Sequence, residues 1–161
     1  MKSVCFNRWK KRRAAELADI ERAKDGKIYP AGCTLYPLDA SSPDLVQFLP
    51  KDGPVSTRYA VIDPRPGINR RYFFLAVKRA APEFAHKYQS GINMQYPILT
   101  KRLTITYHED KRTQDIIADS IARIDAASEM IEKQIEAEQT AKKRFLQLMF
   151  VGENINRPGK S

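Results

Sequence analysis

Histidine and cysteine are scarce in this chain of 161 residues, which holds two of each: His86 and His108, Cys5 and Cys33. Neither histidine stands near a cysteine, so the ligand spacing of a structural zinc site is missing. Two thiols do not build a disulfide framework, and a reducing compartment fits them better. The GxxxxGK[ST] phosphate loop, the GxGxxG dinucleotide turn and the HExxH zinc helix are all absent, which removes the commonest nucleotide and metal-hydrolase chemistries. No apolar run approaches the roughly 20 residues of a membrane-crossing helix. The opening MKSVCFNRWKKRR is basic, but no apolar segment follows it as in a secretory signal. A cytoplasmic protein is expected, with no catalytic residues, metal or cofactor of its own.

What the chain does have is apolar material and positive charge. A hydrophobic share of 42% is enough for a core, and the length suits one compact domain plus an extension. The formal charge of +9 is unevenly placed. Residues 1–113 carry 21 Lys and Arg against 11 Asp and Glu, whereas residues 114–149 carry 5 against 7. The positive field therefore belongs to the front part, and a surplus of that size points to a polyanion, nucleic acid before membrane.

Three zones follow along the chain. Residues 9–25, WKKRRAAELADIERAKD, read as a short helix with Leu17 and Ile20 inward, ended by Gly26. Residues 27–107 hold scattered prolines and short β-rich runs. There TLYPL, LVQFL, RYAVI and the alternating LTITY predict strands. Within this zone the spacing of Tyr72, Leu75 and Ala76 predicts a helix over 68–84, stopped near Pro82. The fold class is α+β: a compact β-rich domain at 1–112, one long helix at 113–150 and a flexible tail at 151–161.

The long helix carries a heptad seam. Steps of four and three connect Ile117, Ile121, Ile124, Ser128, Ile131, Ile135, Glu138, Lys142, Phe145 and Met149. Thr113 or Asp110 is placed to cap the start, and a run to Met149 is about 54 Å long at ~1.5 Å per residue. A domain of this size does not cover so long a stripe, so a partner helix is expected. Glu138 and Lys142 would face their own copies in a parallel dimer. Antiparallel pairing, or pairing with a different helix, gives them opposite charges or a route to the edge.

Two chemistries compete for the basic front part. A metal-dependent nuclease needs several carboxylates and a lysine, of which Asp44, Glu109 and Lys111 are a loose echo, although Glu109 or Asp110 fits a helix cap better. DNA reading needs cations for phosphates and planar side chains for base edges. Lys10, Lys11, Arg12 and Arg13 form a basic run beside Trp9. Arg58, Arg65, Arg70 and Arg71 cluster around the loop DPRPGINRR, and Gln89, Asn93 and Gln95 sit in YQSGINMQYP. Each has a second reading: a solvated helix face for 10–13, a solvated helix start for Arg70 and Arg71, and a turn begun by Gly91 for Asn93.

The order DGKIYPAGCTLYPL, VSTRYAVIDP, RRYFFLAV, YQSGINMQYPILTKRLTI and RTQDIIADSIARIDAASEMIEKQIEAEQTAKKRFLQLMF resembles the specificity subunit of type I restriction-modification enzymes over residues 17–151. The most specific part is the end: a strand, a polar link with Gln114 before Ile117, then a long Ile/Asp-containing helix closing in KKRFLQLMF.

The resemblance implies a target recognition domain that binds double-stranded DNA. It also implies long helices that pair into an antiparallel coiled coil and fix the distance between two half-sites. Members of the family catalyse nothing; associated methyltransferase subunits bind S-adenosylmethionine, and a restriction subunit cleaves. One recognition domain and one long helix correspond to a half-length form, expected to homodimerise and to read a palindromic bipartite site. The alternative is an orphan or phage-borne scaffold or inhibitor that binds the modification subunits through the helix without reading DNA.

Overall fold

A computed structural model describes residues 8–39, 46–89 and 94–155, with side chains up to Val151. The elements run β1 (Trp9–Arg13), α1 (Ala14–Leu17), β2 (Ala18–Arg22), β3 (Ile28–Tyr29), β4 (Thr34–Pro37), β5 (Gln47–Phe48), β6 (Gly53–Pro54) and β7 (Tyr59–Pro64). Then come α2 (Arg70–Tyr88), α3 (Tyr96–Arg102), β8 (Thr104–His108) and α4 (Lys111–Ile155). The chain divides into two compact units, residues 1–119 and 120–161.

The first unit is built on a four-stranded antiparallel sheet in the order β2-β7-β4-β5. Alternation along its strands feeds two cores, because successive side chains point to opposite faces. Tyr36, Ala60 and Ile62 enter the larger core, where Phe73, Val77, Ala81 and Phe84 of α2 meet them. Leu35 and Val61 enter a smaller one with Ala23, Tyr29, Cys33 and Val55. A separate ribbon pairs β1 with β8, Trp9 opposite His108 and Arg13 opposite Thr104, and β3 pairs with β6. The mixed helix and sheet content and the long final helix are those of the expected α+β class.

Residues 9–25 depart from expectation. Lys, Arg, Ala and Glu are good helix formers, yet only Ala14–Leu17 is helical and strands lie on either side. Tertiary pairing decides the outcome: Ile20 pairs with Ile62 and Lys11 with Thr106. Ala14 and Ala18 are buried where the chain turns from ribbon to sheet, and Ala14 N–H donates to the Leu103 carbonyl at 2.8 Å. Leu17 and Ile20 do pack on the core, and Gly26 does turn the chain, at φ +75°.

α2 also differs, running through Pro82 to Tyr88. Proline removes one intrahelical donor, but Pro82 is exposed while Ala81, Phe84 and Ala85 around it are buried and hold the turns. The buried face is Tyr72, Phe73, Val77, Ala81 and Phe84; Leu75 and Ala76, expected to lead it, are only half-buried. The final helix continues through Ile155, into the segment expected as a tail.

Candidate nucleic-acid and helix-pairing surfaces

The four cations of β1 all face solvent. Strand alternation puts Lys11 and Arg13 on one face of the ribbon and Lys10 and Arg12 on the other. Lys10 reaches Glu109 at 2.8 Å and Arg13 reaches Glu16 at 3.6 Å. The Lys10 ammonium holds the Glu109 carboxyl below its ordinary pKa. Trp9, 40% exposed, sets its ring edge-on to His108 at 5.3 Å.

Arg58, Arg65, Arg70 and Arg71 do not form one cluster. Arg58 and Arg65 flank opposite ends of β7, about 20 Å apart at strand rise. Arg58 pairs with Asp39 through Nε at 2.6 Å, and Arg65 stands 3.9 Å from Asp19. Arg70 pairs with Asp63 at 2.5 Å and lies over Gly32, where an added Cβ would come within 2.3 Å of its Nε. Gly32 has φ +90°, a conformation that suits glycine, so this close approach has two reasons to exclude a side chain. Arg71 is exposed and stacks over Phe48 at 5.6 Å. Ion pairs this exposed contribute only about 0.2–1 kcal/mol, so phosphate can compete for these guanidiniums.

Gln89 caps the end of α2, its N–H donating to the Ala85 carbonyl at 2.8 Å. Gln95 is exposed and starts α3 with its backbone carbonyl, leaving its side chain out of the cap. Asn93 and Asp44 lie outside the described residues. The nuclease echo does not assemble from what remains: Glu109 faces Lys10, and Lys111 donates to Asp115 at 2.9 Å. Among the described residues no three carboxylate, histidine or cysteine side chains gather as a metal site. Burial, with Asp63 adding to it, pushes the Cys33 thiol up to about 11, so it stays protonated and unreactive at neutral pH.

The start of α4, up to Asp119, belongs to the first unit and is held there by a polar clamp. Gln114, 1% exposed, donates through Nε2 to the His108 carbonyl at 2.7 Å and accepts the Asn69 N–H at 2.9 Å through Oε1. Asn69 donates its amide to Asp115 at 2.7 Å and accepts the Tyr72 N–H at 2.9 Å, capping α2. Asp110 caps α4, accepting the Thr113 N–H at 3.0 Å and its hydroxyl at 2.7 Å. These bonds hold the Asp110 carboxyl below its usual pKa; Lys111, then Asn69, do the same for Asp115. The Asp110 cap is the one expected from the sequence; for the rest of the clamp the advance signal was a lone glutamine in a strand-to-helix link.

Along α4 the seam changes character. Ile117 and Ile121 are half-buried, while Ile124, Ser128, Ile131, Ile135, Glu138, Lys142, Phe145 and Met149 are all exposed. Ile131 is 56% exposed and Phe145 65%. A second apolar row escaped the heptad reading: Met130 and Leu148, both exposed, stand 18 residues apart, five full turns along one helix face at 3.6 residues per turn.

No family model matches the sequence, and no curated protein matches it either. Solved structures do. The S subunit of a type I restriction-modification system from M. genitalium superposes with a TM-score of 0.71 at 15% identity, over 94% of this chain and 48% of its own. A chain from a structure concerning assembly and conformational transition of the type I R-M system gives 0.69 at 14%, over 90% and 45%. The HsdS subunit of Thermoanaerobacter tengcongensis gives 0.53 at 14%, over 78% and 40%. The chain thus has the fold of type I specificity subunits. It spans about half the length of the solved chains it matches.

Proposed function

We propose that this protein is a DNA sequence-specificity module of a type I restriction-modification system, non-catalytic itself. Residues 120–151 of α4 pair antiparallel with the same helix of a second copy. The pair holds two recognition domains on a bipartite DNA site and docks methyltransferase subunits, which carry the S-adenosylmethionine site. The observation that carries this reading is the uncovered apolar edge of α4, from Ile124 to Met149, on a fold shared with specificity subunits. Fully burying a side chain such as Ile131 or Ile135 is worth about 1.5–3 kcal/mol, so a second helix has a strong reason to bind there.

Pairing direction separates a spacer from a simple dimer. In an antiparallel pair centred on the seam, two spin labels at position 123 in an Arg123→Cys, Cys5→Ser background stand about 30 Å apart along the axis. Parallel pairing brings them within about 10–15 Å, near the spacing of packed helices. A short distance, or a monomeric mass in solution, overturns the spacer. Binding to methyltransferase subunits without any effect on their DNA affinity would favour the scaffold reading instead.

A further inference from the structure

One surface of the first unit joins Lys11, from the basic run at 10–13, to three cations that stand in no basic stretch of the sequence. Between the C-terminal half of α2 and the β1–β8 ribbon runs a half-open groove with a volume of about 380 Å³. Four cations line it, Lys11 from β1, Arg79 and Lys87 from α2 and Arg102 from α3, against one carboxylate, Glu83. All four are exposed, and among the described residues none makes an ion pair. Lys87 and Arg102 also lie in the last turns of their helices, where positive charge suits the backbone dipole. Lys11 and Arg79 have no such reason to be there.

The remaining lining matches the cations. Thr106 stands opposite Lys11 in the ribbon register, and Thr104 shares its face two residues away. Both threonines are exposed and line the groove; the Thr104 hydroxyl donates to the Arg102 carbonyl at 3.2 Å, which leaves Thr106 as a neutral donor of the kind that phosphate oxygens draw beside lysine and arginine. Its apolar wall is formed by Ala80, Phe84 and Tyr88, the two rings 5.0 Å apart. That wall suits the carbon face of a sugar. Four positive charges around one carboxylate repel one another, and a polyanion relieves the repulsion.

We infer that this groove seats the sugar-phosphate backbone of duplex DNA, with Lys11, Arg79, Lys87 and Arg102 as phosphate contacts and Thr106 as a hydroxyl donor. The inference rests on the DNA-reading role proposed above. Such a contact positions the duplex without reading its bases. Arg79, Glu83 and Lys87 follow one another at four-residue steps, so Glu83 sits between two phosphate contacts about 12 Å apart along the helix. It sets where the anion does not go.

The test measures binding of the full chain, free and assembled with methyltransferase subunits, to mixed-sequence duplex DNA across a range of potassium chloride. Lys11→Gln, Arg79→Gln and Arg102→Gln each weaken binding about five- to tenfold near ~0.1 M salt and lower the salt slope by about one, equally on every sequence. Glu83→Gln tightens binding, a gain that misfolding does not produce. If the wild type binds DNA with a steep salt dependence while all four variants match it, the groove is not the phosphate seat and the DNA-reading role stands. Variants that bind DNA normally but lose the methyltransferase subunits overturn the inference in favour of a protein-docking surface. No binding by the wild type in either form removes the DNA-reading role and the groove with it.

Discussion

The two units of this chain treat apolar side chains in opposite ways. In the first, Phe73, Val77, Ile62 and Ile105 are at most 1% exposed. In the second, Ile124, Met130, Phe145 and Leu148 are each more than 60% exposed. Both units are helical in part, so secondary structure does not explain the contrast. Sheet and ribbon give α2 surfaces to lie against, whereas among the described residues no element of the second unit covers α4. Apolar surface in water is costly in proportion to its area, so the first unit holds its shape by its own contacts, whereas the second keeps an apolar edge that its own contacts leave open.

The sharpest way to break the contrast is to damage the first core. Phe73→Ala removes a fully buried ring and lowers stability by about 3–5 kcal/mol, measured by urea unfolding, while the pairing of α4 persists. Next comes the clamp at the base of α4. Gln114→Ala removes the acceptor of the Asn69 N–H and the side-chain donor to the His108 carbonyl; the unpaired Asn69 N–H alone costs about 1–3 kcal/mol. Amide exchange at Asn69 should quicken far more than exchange at Ile62 in the sheet.

The converse experiment touches only the second unit. Ile131→Glu puts a carboxylate in the seam and weakens self-association at least tenfold, about 1.4 kcal/mol or more, with no change in the unfolding of the first unit. Sedimentation equilibrium reads the first quantity and circular dichroism the second. Equal loss in both units would show that they are not independent.

The smallest effect is one of pH. Asp110 and Asp115 titrate below their unfolded values in the folded protein. The stability they confer is therefore fully present above the unfolded pKa, about 3.9. It is lost as pH falls through the lower folded values. Amide exchange at Thr113 should rise below about pH 4, and Asp110→Asn, which keeps an acceptor but no charge, should flatten that rise.

Much of this was legible in residue patterns, for reasons that differ by element. The strands at Thr34, Tyr59 and Thr104 and the helix from Lys111 announce themselves through local alternation or an uninterrupted heptad, signals confined to neighbouring residues. Residues 9–25 misled because every local preference there favours a helix, while the partners that make strands of it, Ile62 and Thr106, lie far along the chain. Pro82 misled in the other direction: a helix end was read from one missing donor, and the burial that carries α2 past it comes from the sheet. The basic groove was out of reach for the same reason, since Lys11, Arg79 and Arg102 meet only after folding. Arg58 and Arg65, near in sequence, are instead set apart by the strand between them.

The strand Trp9–Arg13 turns its four cations to water and is held by backbone pairing to Thr104–His108. Its amino acids can therefore change with little penalty to folding, the usual brake on how quickly a segment diverges. Electric charge presented at this edge is free to drift between descendants of the same fold without rebuilding the body that carries it.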